Sequence, residues 1–211
     1  MSTRSATAAV TTTPRPRPRR TEVRADLLRA AREAFLERGY AGTSVAEIAR
    51  AAGFTKGAVY SNFGSKEALF AEVCRTEFNT ATTDLLADLV ETTRRGQRLS
   101  PETASRLGAL VIDHSALQVA TGEFRSLAAA NPEVAASYAA LRADQISRLT
   151  DELGRLALLG PRASTTQYRS LAIALLAMLN TLALEHRAAP ELYPGEVVED
   201  TMTFLVEGLL P

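Results

Sequence analysis

Residues 44–63, SVAEIARAAGFTKGAVYSNF, constrain the fold of this chain more than any other stretch. Ser44 and Glu47 have the S-x-x-E spacing of a capping box, in which two side chains satisfy orphan backbone donors at a helix start. Val45, Ile48 and Ala49 give that helix an apolar face, and Gly53 ends it. Thr55 is a good N-cap for a second helix reaching about Asn62. Two short helices joined by a tight turn at Ala52-Gly53-Phe54 have the helix-turn-helix layout, which braces one helix across the DNA backbone and lays the other in the major groove. Val45, Ile48, Ala49, Val59 and Phe63 would pin the pair together. Thr55, Lys56, Gly57, Ala58, Tyr60 and Asn62 are left facing outward.

No strand pattern of any length accompanies this segment. Val23, Leu27, Ala31, Ala34 and Phe35 recur at helical spacing over about 22–38, closed by Gly39. Gly64-Ser65 breaks the chain, and Ser65 caps a helix running from about 66 toward Arg94, with a possible interruption near Asn79–Thr83. Further helices are expected from Pro101 to about Ala120, as a short piece after Thr121-Gly122, from Asn131-Pro132 to Leu159-Gly160-Pro161, over 164–188, and over about 195–210. The expected fold is all-α: an N-terminal three-helix helix-turn-helix head, then a helical-bundle regulatory and dimerisation domain. The expected division is a disordered basic arm over 1–20, where PRPRPRR at 14–20 cannot build a core, a head over 21–75, and a body over 76–211.

Charge supports a nucleic-acid partner only when it is read along the chain. Residues 1–70 carry twelve Lys+Arg against six Asp+Glu, and residues 71–211 carry twelve against eighteen, so the neutral total hides a head of +6 and a body of −6. A single cysteine, Cys74, leaves no internal disulfide, and only two histidines, His114 and His186, accompany it. A Cys- or His-rich metal centre is therefore not expected. The most apolar run, Leu171 to Leu184, falls short of the ~20 residues a membrane span needs. With no export signal visible, the chain reads as cytoplasmic, without a membrane partner. No phosphate loop, metal-ligand spacing or nucleophile–base constellation points to an enzyme, and no cofactor is expected.

The segment resembles the tetracycline-repressor (TetR) family of regulators over about residues 21–75. The match rests on Gly39-Tyr40, Thr43-Ser44-Val45, Ile48-Ala49, Ala52-Gly53, Thr55-Lys56-Gly57, Tyr60, Phe63 and Ser65-Lys66-Glu67-Ala68-Leu69. The resemblance implies a DNA-binding regulator, a repressor released by a small-molecule effector. Contacts to double-stranded DNA at a palindromic operator then fall on Thr43, Ser44, Thr55, Lys56, Gly57, Ala58, Tyr60, Asn62 and Lys66. Lys56, Gly57 and Ala58 would face bases, while Thr55, Tyr60, Asn62 and Lys66 would face phosphates. Gly57 costs about 0.8–1 kcal/mol of helix propensity; a bare backbone can approach the groove closely, although a short helix also tolerates a glycine. Tyr60 reads alternatively as a half-buried core ring, and Lys66 as a solvated lysine at a helix start. Many family members carry a ring where Asn62 stands. The basic arm reads either as a minor-groove element or as a tail adding nonspecific attraction.

In the body, residues 171–184 are apolar around nearly the whole helix, and Val198, Met202, Leu205 and Leu209 form a stripe. Both patterns fit a monomer core. The resemblance implies instead that the last two helices pair with their twins in a homodimer. His114 lies on an apolar face with Leu107, Leu110 and Leu117, as a satisfied core histidine or as a contact to a small, largely apolar effector. Gln118, Tyr138 and Asn180 are the other ligand-site candidates. Phe78 and Phe124 read as core. A ligand-independent architectural DNA binder and a protein-binding helical domain are the competing readings.

Overall fold

The computed structural model describes residues 19–94, 101–157, 159–160 and 162–209, with only the backbone described for 81–94, 101, 102, 104, 206 and 209. The arm expected over 1–20 lies outside these residues except for Arg19 and Arg20. Every regular element among the described residues is a helix: α1 Arg20–Arg38, α2 Val45–Ala51, α3 Lys56–Phe63, α4 Lys66–Arg94, α5 Pro101–Asp113, α6 Ser115–Ala130, α7 Pro132–Leu156, α8 Thr165–Ala188 and α9 Gly195–Leu209.

The helix starts follow their caps. Ser44 and Ser164 close capping boxes with Glu47 and Gln167, Thr55 accepts the Ala58 N–H, and Asn131 accepts the Glu133 N–H ahead of Pro132. Two expected breaks are absent. α4 runs on through Asn79–Thr83, and Thr76 and Thr80 turn their hydroxyls onto the carbonyls of Glu72 and Thr76, one helical turn back. Thr121-Gly122 lies inside α6, where Thr121 bonds the Leu117 carbonyl in the same way. The break falls instead at His114, whose backbone (φ −89°, ψ 0°) separates α5 from α6.

Head and body share one core. Leu27, Ala31 and Phe35 of α1, Ile48 of α2, Val59 of α3 and Leu69, Phe70 and Val73 of α4 are buried together with Leu117, Ala120 and Phe124 of α6 and Leu141 of α7. Phe70 and Tyr40 meet edge-on, and both pack against Phe124, with centroids 4.8–5.1 Å apart. The ion pairs Arg24–Glu72 (2.6 Å) and Arg32–Glu77 (2.7 Å) bind α1 along α4. The expected boundary at 75–76 therefore falls inside α4, a helix common to both parts.

A second cluster joins α5 to the last two helices: Leu107, Val111, Leu182, Ala183, Val198 and Met202. The stripe Val198–Met202–Leu205 thus serves this chain's own core. The opposite side of α9 carries Val197 (40% exposed) and Phe204 (79%), and Ile173 on α8 is 44% exposed. By length and composition α8 is apolar enough to cross a membrane, but it packs against α5, α6, α7 and α9.

Candidate nucleic-acid interface and ligand cavity

The helix-turn-helix is set by local bonds. Ser44 Oγ accepts the Glu47 N–H (3.3 Å), and Glu47 accepts the Ser44 N–H (2.9 Å) and hydroxyl (2.7 Å). These hydrogen bonds from Ser44 hold the Glu47 carboxyl below its ordinary range. Gly53 takes the left-handed φ of +75° that the turn requires, and the Phe54 N–H returns to the Ala49 carbonyl (2.8 Å). Thr55 Oγ1 accepts the Ala58 N–H (3.3 Å) at the start of α3.

Ser44, Thr55, Lys56, Gly57 and Tyr60 are exposed on the head, with Ala58 half-buried. Gly57 is the informative member. A Cβ built on it would meet only Thr55 Oγ1, at an ordinary 3.6 Å, and its φ is helical. Nothing among the described residues demands a glycine there.

Three residues expected at the DNA surface also make contacts within the head. Thr43 is 2% exposed, and its hydroxyl lies 3.0 and 2.7 Å from the carbonyls of Ala34 and Gly39, tying the loop between α1 and α2 to the end of α1. Asn62 donates its amide to the Ala58 carbonyl (2.8 Å), and its Oδ1 is buried without a hydrogen-bond partner among the described residues. Lys66 donates to the Tyr40 carbonyl (2.6 Å) with its ammonium 4.2 Å from the Tyr40 ring centroid. A cation in the first turn of α4 opposes the helix dipole. The carbonyl and ring offset that cost, while burial lowers the lysine's pKa. Thr43→Val should therefore cost about 1–3 kcal/mol of stability, read as a shift of the urea midpoint, because a buried carbonyl loses its donor.

The second site is a cavity between α4, α5, α6, α7 and α8 with about 80 Å³ of free space. It brings together His114, Gln118 and Asn180. Tyr138 does not join them: its ring packs edge-on against Phe124 (6.0 Å) in the shared core. Phe78, expected in the core, lines the cavity as well as packing on its neighbours. His114 Nδ1 lies 2.8 Å from the Leu110 carbonyl, so that nitrogen carries a proton and donates it there. Burial pushes the Cys74 thiol, also in the wall, up to about 12.

Sequence reading missed Arg142 and Gln145 in the lining, and Glu123. Gln145, 8% exposed, occupies a core position in the α7 stripe Val134–Leu141–Leu149–Leu153, and a polar residue inside an apolar stripe was the available signal. Glu123 Oε2 accepts the Ala41 N–H (2.8 Å). Its carboxylate lies where a Gly39 side chain would stand, 2.7 Å from an ideal Cβ, and Gly39 itself has φ +72°. One helix, α6, thus touches the cavity through Leu117, Gln118 and Thr121 and the head through Glu123 and Phe124.

These features define a helix-turn-helix head fused to an all-helical body with a partly open cavity between its helices. The sequence profile of the bacterial regulatory proteins of the tetR family matches residues 27–73. The chain is 43% identical over 60 residues to the HTH-type transcriptional repressor DhaR of Mycobacterium sp. strain GP1, an alignment covering 28% of this chain and 30% of that repressor's length. A Rhodococcus sp. chain described as a TetR-family transcriptional regulator superposes over 90% of this chain and 100% of its own, with TM-score 0.65 and 17% identity. The Bacillus subtilis regulator FadR, solved with stearoyl-CoA, covers 86% and 96%, with TM-score 0.56 and 16% identity. The head thus matches the tetR-family profile over residues 27–73, and the chain as a whole shares the fold of these solved regulators.

Proposed function

We propose that the protein is a sequence-specific transcriptional regulator of the cytoplasm: a homodimeric repressor that binds a palindromic operator and is released by a small, largely apolar effector. The observation that carries the DNA reading is Gly57, exposed on α3 with no internal reason to lack a side chain. Its benefit lies outside the molecule, in the close approach of α3 to a groove. Lys56, Gly57 and Ala58 face bases in this reading, Thr55 and Tyr60 face phosphates, and the exposed Ser44 stands at the start of the bracing helix. Asn62 and Lys66, half-buried with N–H donors to spare, face phosphates as well, while the buried Thr43 holds the head in shape.

The exposed apolar side chains of α8 and α9 favour a second copy as their cover, and a two-fold dimer presents two α3 helices to a palindrome. The cavity supports an effector, as does the stearoyl-CoA bound by the FadR neighbour. An effector that fills this partly open cavity presses on its walls. α6 is one of those walls and also holds the loop between α1 and α2 through Glu123, so that pressure reaches the head. Coupling of this kind is typically ~1–3 kcal/mol.

The test is titration of the intact protein against operator and scrambled duplexes over a range of salt. A regulator prefers the operator by roughly 10³-fold or more at matched salt, and log Kd for both duplexes rises with log salt. Equal affinity for the two would make it an architectural binder.

A further inference from the structure

Resting on the effector reading above, we propose that the effector is an acid, an apolar body bearing a single carboxylate that pairs with Arg142. Phe78, Leu110, Leu176 and Leu179 make much of the cavity wall apolar, and no Asp or Glu is among the lining residues. The permanently charged group in the lining is the half-buried Arg142 guanidinium. Among the described residues its hydrogen bond goes to the neutral Gln145 amide oxygen, 2.9 Å from Nη1. The nearby carboxylate on the same helix, Asp144, is taken by Arg148 at 2.9 Å and Arg75 at 3.4 Å.

A guanidinium offers five N–H donors in a planar fork that matches a carboxylate, and one bond to an amide uses little of that capacity. Placing a cation in an apolar wall is costly unless an anion meets it. The Gln145 amide, 8% exposed beside Arg142, can donate N–H to a second oxygen. One permanent positive charge suits a monoanion better than a phosphate dianion, and it repels amines. His114, with Nδ1 committed to Leu110, adds no fixed second charge.

The experiment uses the full chain and the neutral fluorophore 1-aminoanthracene as a reporter of cavity occupancy, displaced by octanoate, octan-1-ol or octylamine. Octanol is the most hydrophobic of the three at neutral pH, so an apolar cavity alone would favour it. The expected result is displacement by octanoate at about 10- to 100-fold lower concentration than octanol, as a charge-assisted bond predicts, with octylamine weakest. Arg142→Gln should erase the preference and Arg142→Lys should keep part of it. Gln118→Trp, which fills the cavity, should abolish dye binding. If octanol competes as well as octanoate, the carboxylate assignment is wrong while the cavity remains an effector site. The same conclusion follows if the preference survives Arg142→Gln. If dye binding is not saturable, or is unchanged in Gln118→Trp, the cavity reading fails and the acid falls with it. The ligand series is measured on the unaltered chain, so it decides even if an Arg142 variant does not fold.

Discussion

Phe204→Glu is expected to leave each chain folded and to take the dimer apart. Phe204 is 79% exposed in the single chain, so a carboxylate there is hydrated and costs the monomer little; exposed substitutions usually stay within about 0.5 kcal/mol. In the proposed dimer the same side chain lies between α9 and its twin. A buried unpaired charge costs roughly 3–5 kcal/mol, and two-fold symmetry places a second like charge across the same interface. Sedimentation at micromolar concentration should then find a species of 22.7 kDa that still melts cooperatively, at a lower temperature than the dimer. Operator affinity should fall as well, because the two heads no longer bind as one unit. The neighbouring Leu205 is a poorer probe, because it packs on the chain's own cluster of Leu107, Val111 and Met202. A Phe204→Glu protein that stayed dimeric would place the interface elsewhere.

Gly57→Leu should have opposite effects on folding and on DNA binding. A Cβ at Gly57 meets open space apart from Thr55 Oγ1 at 3.6 Å. Leucine is a strong helix former, so the variant should gain close to the ~0.8–1 kcal/mol that glycine forfeits in a helix. On the operator, the isobutyl group holds α3 away from the base edges in both half-sites. Each disrupted base contact is worth about 1–3 kcal/mol, so the dimer should lose at least 100-fold in operator affinity and far less on random duplex. Paired urea melts and DNA titrations would read both effects. A variant that is more stable yet binds operator like the parent would remove α3 as the reading element.

The head was legible because its determinants are local. A capping box three residues wide, a left-handed Gly53 and the Thr55 cap act within one turn of chain, and each is found where its residues stand. What the residue types did not carry was direction. Thr43 and Lys66 are polar and flank the motif, yet one turns inward to the carbonyls of Ala34 and Gly39 and the other reaches Tyr40, 26 residues back in the chain. In the body, prolines and serine caps marked most helix starts. The break at His114 has no glycine or proline to announce it, and the polar stretches that looked like breaks are absorbed by threonine hydroxyls bonding one turn back. Of the residues around the cavity, the sequence pointed to His114, Gln118 and Asn180, the first two one turn apart along the chain. Arg142 and Gln145 reach the same space only through the packing of α7 on α4 and α8, and the stripe that betrays Gln145 looks like an ordinary helix until its burial is known.

If paired α3 helices read a defined DNA sequence, selection of bound duplexes from a random pool will recover it. Intact protein at near-physiological salt should enrich a palindrome whose half-sites are related by two-fold symmetry, with centres about one helical turn or a multiple of it apart. The Gly57→Leu protein, carried through the same rounds, should enrich nothing above the input pool. Failure of the intact protein to enrich any sequence, or enrichment of the same palindrome by both proteins, would contradict the account.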